Sequence, residues 1–117
     1  MVKQREQVKD EFKRMVIRFI ILKKLSDNEI YAYRLLKDIE GMPHMDFFCK
    51  DKKKLKNDIY NALNALSKEG YIIVKQKKVG SKVRNYYSLT MEGRKSINRI
   101  RRNFAMAVMR IKKILRV

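Results

Sequence analysis

Between residues 50 and 84 the chain sets three asparagines and a tyrosine at helical spacing, beside a dense run of cations. Asn57, Tyr60, Asn61 and Asn64 fall on one side of any helix built there, at about 100° per residue, together with Lys53 and Lys68. An asparagine carboxamide can pair with adenine N6 and N7, and a tyrosine hydroxyl can donate to a base edge or a phosphate. A merely solvated face more commonly carries Glu, Lys and Gln, and Asn is a poor helix former. Lys50, Lys52, Lys53, Lys54 and Lys56 crowd the start of the same helix. Cations there oppose the helix dipole, at a cost of roughly a few tenths of a kcal/mol each. An anion would offset that cost, and such lysines position a polyanion rather than read it. Lys75, Lys77, Lys78, Lys82 and Arg84 follow, and no acid occurs between Gly70 and Met91. These suit a nucleic-acid backbone or minor groove, although lysines on exposed strands also discourage edge pairing.

The whole composition agrees. The 117 residues carry 30 Lys+Arg against 12 Asp+Glu, a net charge of +18. Residues 1–49 hold 10 Lys/Arg against 8 Asp/Glu and residues 50–117 hold 20 against 4, so the excess starts where the candidate helix starts. Like charge concentrated in one region repels itself and calls for a compensating partner. With 45% hydrophobic residues the chain can bury a core, so it is not a basic disordered tail. No apolar run approaches the ~18 residues of a membrane span, and no signal-peptide pattern opens the chain. One cysteine, Cys49, and one histidine, His44, are too few for a zinc site or a Cys/His catalytic pair. Paired carboxylates, a phosphate-binding Gly loop and metal-ligand spacing are missing too, so no enzyme, cofactor or metal is expected. The expected partner is double-stranded DNA and the expected location cytoplasmic, on the nucleoid.

The elements that must position these residues follow from periodicity. Residues 8–25 read as a helix with Val8, Phe12, Met15, Val16, Phe19 and Ile20 along one face. Ile17, Ile21, Leu22 and Leu25 make its second half apolar nearly all round, which asks for burial on more than one side. Ser26 and Glu29 have capping-box spacing and predict a second helix over about 28–40, ended by Gly41 in a left-handed turn and by Pro43. Residues 41–51 connect to a third helix, 52–68, capped by Asp51, with Leu55, Ile59, Ala62, Leu63 and Leu66 inward and Gly70 at its end. Residues 71–74 and 83–89 are β-branched and aromatic and predict a hairpin turning over 77–82. Thr90 caps a last helix over about 91–116. The fold expected is mainly α with a small β-hairpin (α+β): a winged helix-turn-helix over 1–90 and a C-terminal dimerisation helix over 91–117, in a single compact unit.

That last helix carries Ile97, Ile100, Phe104, Ala107, Ile111 and Ile114 at alternating steps of three and four, widened by Val108 and Leu115. A helix about 39 Å long exceeds what one small domain needs. The stripe, with Phe19 of the first helix, predicts a homodimer interface, an antiparallel or splayed crossing best relieving the helix charge. Met15, Met42, Met45, Met91, Met106 and Met109 could line a small-molecule effector cavity, but Met more often fills gaps in a core or interface.

Three segments resemble a known family. Residues 30–39, Ile-Tyr-Ala-Tyr-Arg-Leu-Leu-Lys-Asp-Ile, resemble the second-helix segment of PadR-like transcriptional regulators, with Ala32 in place of a usual Gly. Residues 58–66 with Glu69-Gly70-Tyr71-Ile72 are similar to that family's recognition helix and first wing strand, and residues 85–93 to its second wing strand and the turn beyond. The resemblance implies a homodimeric winged-helix DNA-binding protein, usually a repressor. MarR-like regulators and small archaeal-type winged-helix proteins with a coiled-coil tail share the layout. An architectural protein coating DNA with little sequence preference would carry the same charge without needing the Asn/Tyr face.

Overall fold

The computed structural model describes residues 2–116, and side-chain surroundings from Asp10 onward; Val8 lies outside these. The chain runs α1 (Val2–Asp27), β1 (Ile30–Tyr31), α2 (Ala32–Glu40), α3 (Met45–Phe48), α4 (Lys52–Lys68), β2 (Ile72–Val79), β3 (Lys82–Leu89) and α5 (Met91–Leu115). The sheet is antiparallel, in the order β1-β3-β2. Apolar faces of the helices converge on one core: Ile17, Ile21, Leu22 and Leu25 of α1, Leu35, Leu36 and Ile39 of α2, and Leu55, Ile59, Leu63 and Leu66 of α4. Ile72 and Tyr87 close it from the sheet.

α4 keeps its expected bounds because its signals are local. The Asp51 carboxylate accepts from the Lys53 and Lys54 amides at 3.0 and 3.4 Å. At the other end Gly70 sits at φ 80, and the amides of Gly70 and Tyr71 return to the carbonyls of Ser67 and Leu66 at 3.1 and 3.0 Å. That is a Schellman closure, which favours glycine.

The start of α2 differs from the expectation. Ser26 lies inside α1, and its hydroxyl donates back to the Lys23 carbonyl at 2.6 Å, so it caps nothing downstream. Ile30 and Tyr31 instead pair with Tyr87 and Tyr86 of β3, and α2 begins at Ala32 without a side-chain cap. Gly41 is right-handed at φ −84, so the left-handed turn expected there is absent. Pro43 disfavours helix for Met42 instead. The left-handed residue of this connection is His44, φ 66, ahead of the short α3. The hairpin is also longer than expected, Val79 facing Lys82 across Gly80-Ser81 with Gly80 at φ 63, so Lys77, Lys78 and Lys82 stand on strands.

Two features fix the frame around α4. Lys13 of α1, 7% exposed, meets Asp58 of α4 at 3.0 Å, and Arg18 pairs with Glu69 at the end of α4. Burial works to lower the Lys13 pKa, but the adjoining Asp58 carboxylate, helped by Cys49 and Asp10, outweighs it and holds it above the ordinary lysine value. Beyond the hairpin, the Thr90 amide donates to the Tyr71 carbonyl at 3.1 Å. Its hydroxyl donates to the Gly70 carbonyl at 2.7 Å and accepts from the Gly93 amide at 3.0 Å.

Gly→Ala inside a helix ordinarily gains about 1 kcal/mol. At Gly93 a Cβ would lie far inside contact distance of the Tyr71 carbonyl oxygen and 2.5 Å from Leu89 Cδ1. Gly93→Ala should therefore destabilise by about 1–3 kcal/mol, whereas Gly41→Ala, 3.4 Å from the Lys37 carbonyl, should be neutral or better in urea titration. Asp58→Asn strands a buried ammonium and should cost about 2–4 kcal/mol near neutral pH. Because the folded Lys13 pKa is raised, the pair's contribution is complete below 10.5 and fades as pH rises through the folded value. The gap between wild type and Asp58→Asn should narrow in that alkaline window.

Candidate nucleic-acid interface

The side of α4 turned from the core presents Lys53, Asn57, Asn61 and Asn64 to solvent, with Tyr60 36% exposed. This face is bordered on both sides. Asn61 lines a cleft of about 400 Å³ with Arg14 and Arg18 of α1. Tyr60 lines an open cleft of about 700 Å³ with Tyr31, Tyr33, Lys82, Arg84 and Asn85. The second cleft lies between α4 and the hairpin, so polar groups of the helix and cations of the wing face one space. Burial, and then neighbouring Tyr60, push the Tyr87 hydroxyl pKa up, so it remains a neutral phenol at this boundary.

Lys50, Lys52, Lys53, Lys54 and Lys56 are all exposed around the start of α4. Asp51 already occupies the Lys53 and Lys54 amides, so those amides are not free for an anion. Attraction for phosphate there rests on the ammonium groups. Lys53 shares the Asn/Tyr face, while Lys50 and Lys54 border a cleft toward Asp10 and Lys13.

Pleating divides the wing cations. Cross-strand partners share a face, so Lys75, Lys77, Lys82 and Arg84 stand on one face with Tyr31 and Tyr86, and Lys78 stands on the other. Arg84 lies 4.4 Å from the centre of the Tyr31 ring, and Lys77 lies 5.0 Å from that of Tyr86. Lys77 also forms an ion pair with Glu29, so among the described residues it is the wing cation paired with a carboxylate.

The sequence reading missed Arg14, Arg18, Tyr31 and Tyr33. A helix expected from residue 28 hid the placement of Tyr31 beside the wing. Arg14 and Arg18 stand one turn apart on α1, a signal that acquires meaning only once α1 lies along α4.

The apolar stripe of α5 divides in two. Ile97, expected at a dimer interface, is 6% exposed and belongs to its own domain's core, a correction forced by α5 packing on α1 from its first turns. Phe19 and Ile100 are half-buried against that core. Phe104, Ala107, Val108, Ile111, Ile114 and Leu115 are exposed. An apolar cleft of about 280 Å³ lies at the division, between Phe12, Met15, Phe19, Phe48, Ile100 and Phe104. The methionines do not gather into one cavity: Met45 is in the core, and Met91, Met106 and Met109 are exposed on α5. His44 is exposed, and the Cys49 thiol donates to the Asp51 carbonyl at 3.3 Å. Among the described residues no group of His, Cys, Asp and Glu could hold a metal, and no helix is long and apolar enough to cross a membrane.

Known proteins share this arrangement. A PadR family regulator from Eggerthella lenta DSM 2243 matches with TM-score 0.68 and 22% identity over 98% of this chain and 97% of its own. One from hypervirulent Clostridium difficile R20291 matches with TM-score 0.65 and 19% identity over 85% and 97%. Bacillus subtilis PadR, solved in complex with operator DNA, matches with TM-score 0.57 and 25% identity over 71% of this chain and 45% of its own. No curated protein sequence matches. The model of the transcriptional regulator PadR-like family matches residues 21–99, from the second half of α1 through the winged helix into α5. The chain therefore belongs to the PadR-like family of transcriptional regulators.

Proposed function

We propose that the chain works as a homodimeric, sequence-reading DNA-binding repressor, with α4 in the major groove and the wing, residues 75–84, along the backbone or minor groove. The observation that carries this reading is the exposed Lys53/Asn57/Tyr60/Asn61/Asn64 face, bordered by Arg14 and Arg18 on one side and Lys82 and Arg84 on the other. Asparagines on such a helix read adenine in the major groove, and the flanking cations hold the phosphates on either side. The likeness to Bacillus subtilis PadR, solved with operator DNA, supports DNA as the partner. The exposed outer half of the α5 stripe supports pairing of two copies, through Phe104, Val108, Ile111 and Leu115 with the cleft beside Phe12 and Phe19. Two copies would read half-sites about 34 Å apart. A second reading, as an architectural protein of low sequence preference, is favoured by the cations along α5, which base reading does not require.

Binding to a selected operator and to random duplex across salt separates the two. The repressor reading expects a specificity ratio above about 10³ and, for about ten neutralised phosphates per dimer, a log-log salt slope near −9. Asn61→Ala and Tyr60→Phe should each cost about 1–3 kcal/mol on the operator and little on random DNA; Lys53→Gln and Lys82→Gln should weaken both about equally. Sequence preference that survives Asn57→Ala, Tyr60→Phe and Asn61→Ala together removes α4 as the reading element. Ile111→Glu should shift the protein to monomer in sedimentation and weaken operator binding at least tenfold; a dimer that persists in that variant takes the interface away from the outer stripe.

A further inference from the structure

The side of α5 away from its apolar stripe is densely cationic. At about 100° per residue, Lys95, Arg102, Arg110 and Lys113 fall opposite Ile97, Phe104 and Ile111, and Arg99 lies beside them at the rim of a cleft with Arg14, Arg18 and Glu69. All five are exposed. Arg94, Lys112 and Arg116 lie between this band and the apolar stripe, Arg101 borders the cleft beside Phe104, and the acid of this helix is Glu92. Among the described residues, the ion pair made by this band is that of Lys95 with Glu92, at 3.6 Å between two exposed side chains. Cations three or four residues apart on one helix repel each other, and the repulsion recurs from Lys95 to Arg99 to Arg102 and from Arg110 to Lys113. The band extends about 27 Å from Lys95 to Lys113 at 1.5 Å per residue. A duplex carries one charge per about 1.7 Å of its axis, so a segment of that length presents about sixteen.

The band does not belong to the interface already described. α1 packs on both α4 and α5, and the first turns of α5 meet the end of α4 at a cleft lined by Leu66, Glu69, Ser96 and Arg99. Arg99 reaches the rim of that cleft, but Arg102, Arg110 and Lys113 lie farther along α5 and, among the described residues, line no cleft with α4; with packed helices about 8–10 Å apart, this outer part of the band stands away from α4. A straight duplex seated on the Asn/Tyr face lies out of its reach. The stripe that would pair two copies points the other way, so pairing leaves both bands outward.

We propose that the outward band of α5 holds the phosphate backbone of a second segment of duplex DNA, without reading its sequence, so that one dimer bridges two duplexes. This rests on the DNA-binding reading of α4 and the wing, and adds a surface those elements do not supply.

The test uses the full chain, a bead-bound random duplex and a labelled free duplex. Wild type should capture the labelled duplex on the beads. Arg102→Gln, Arg110→Gln and Lys113→Gln together should cut capture at least tenfold and leave single-duplex affinity within threefold. Undiminished capture by the variant overturns the proposal. Loss of single-duplex affinity in proportion to capture also overturns it, because the band then touches the duplex that α4 holds. Sedimentation should give one mass for both proteins; a larger assembly in wild type alone assigns capture to protein stacking instead. Flotation with phosphatidylserine vesicles, lost in the variant while capture persists, assigns the band to a lipid surface. If wild type binds no single duplex, the reading of α4 fails first, an outcome distinct from loss of capture alone.

Discussion

One close approach determines where both functional arms of this protein point. The carbonyl of Tyr71 lies where a side chain at residue 93 would have to be, and only glycine lets α5 start there. Thr90 ties the same place together, bonding the end of α4 through the Gly70 carbonyl and the first turn of α5 through the Gly93 amide. The end of α4, the base of the hairpin and the origin of α5 are therefore one rigid joint. Lys13–Asp58 and Arg18–Glu69 then set α4 against α1. Side chains on the outer face of α4 inherit their direction from these contacts.

How much of this could be read in the sequence depended on the range of the interactions. α4 was legible to the residue because Asp51 caps it from one position away and Gly70 closes it from two. Its five inward residues followed from period alone. The winged layout and the Asn/Tyr face were legible for the same reason. The start of α2 was not, because its determinant is distant: Tyr31 is drawn into a sheet by Tyr86, while Ser26 turns back to Lys23. A capping box is a local pattern, and here a pairing 55 residues away prevailed. Ile97 fitted a heptad as well as Phe104 did, and only the packing of α5 on α1 sends one inward and leaves the other exposed at 46%. Arg14 and Arg18 joined the candidate site through the placement of α1, which no spacing within α1 encodes.

The net charge of +18 is the sum of unlike contributions. Lys13 is structural, its charge spent on Asp58 inside the protein. Lys77 is engaged with Glu29, so a phosphate approaching it displaces a carboxylate. The lysines at the start of α4 act as point charges, since Asp51 holds the amides of Lys53 and Lys54. Arg84 is held over a tyrosine ring, which limits its freedom before any ligand arrives. A count of cations treats all of these as equal, whereas their surroundings rank them.

The hairpin buries one residue of β2, Ile72, and every later position of that strand is exposed out to the two-residue turn. Its outer rungs owe nothing to the core. Substitutions there escape the penalty that packing imposes on α1 or α4. The charge carried at the end of this ribbon can therefore change while the fold beneath it keeps its stability.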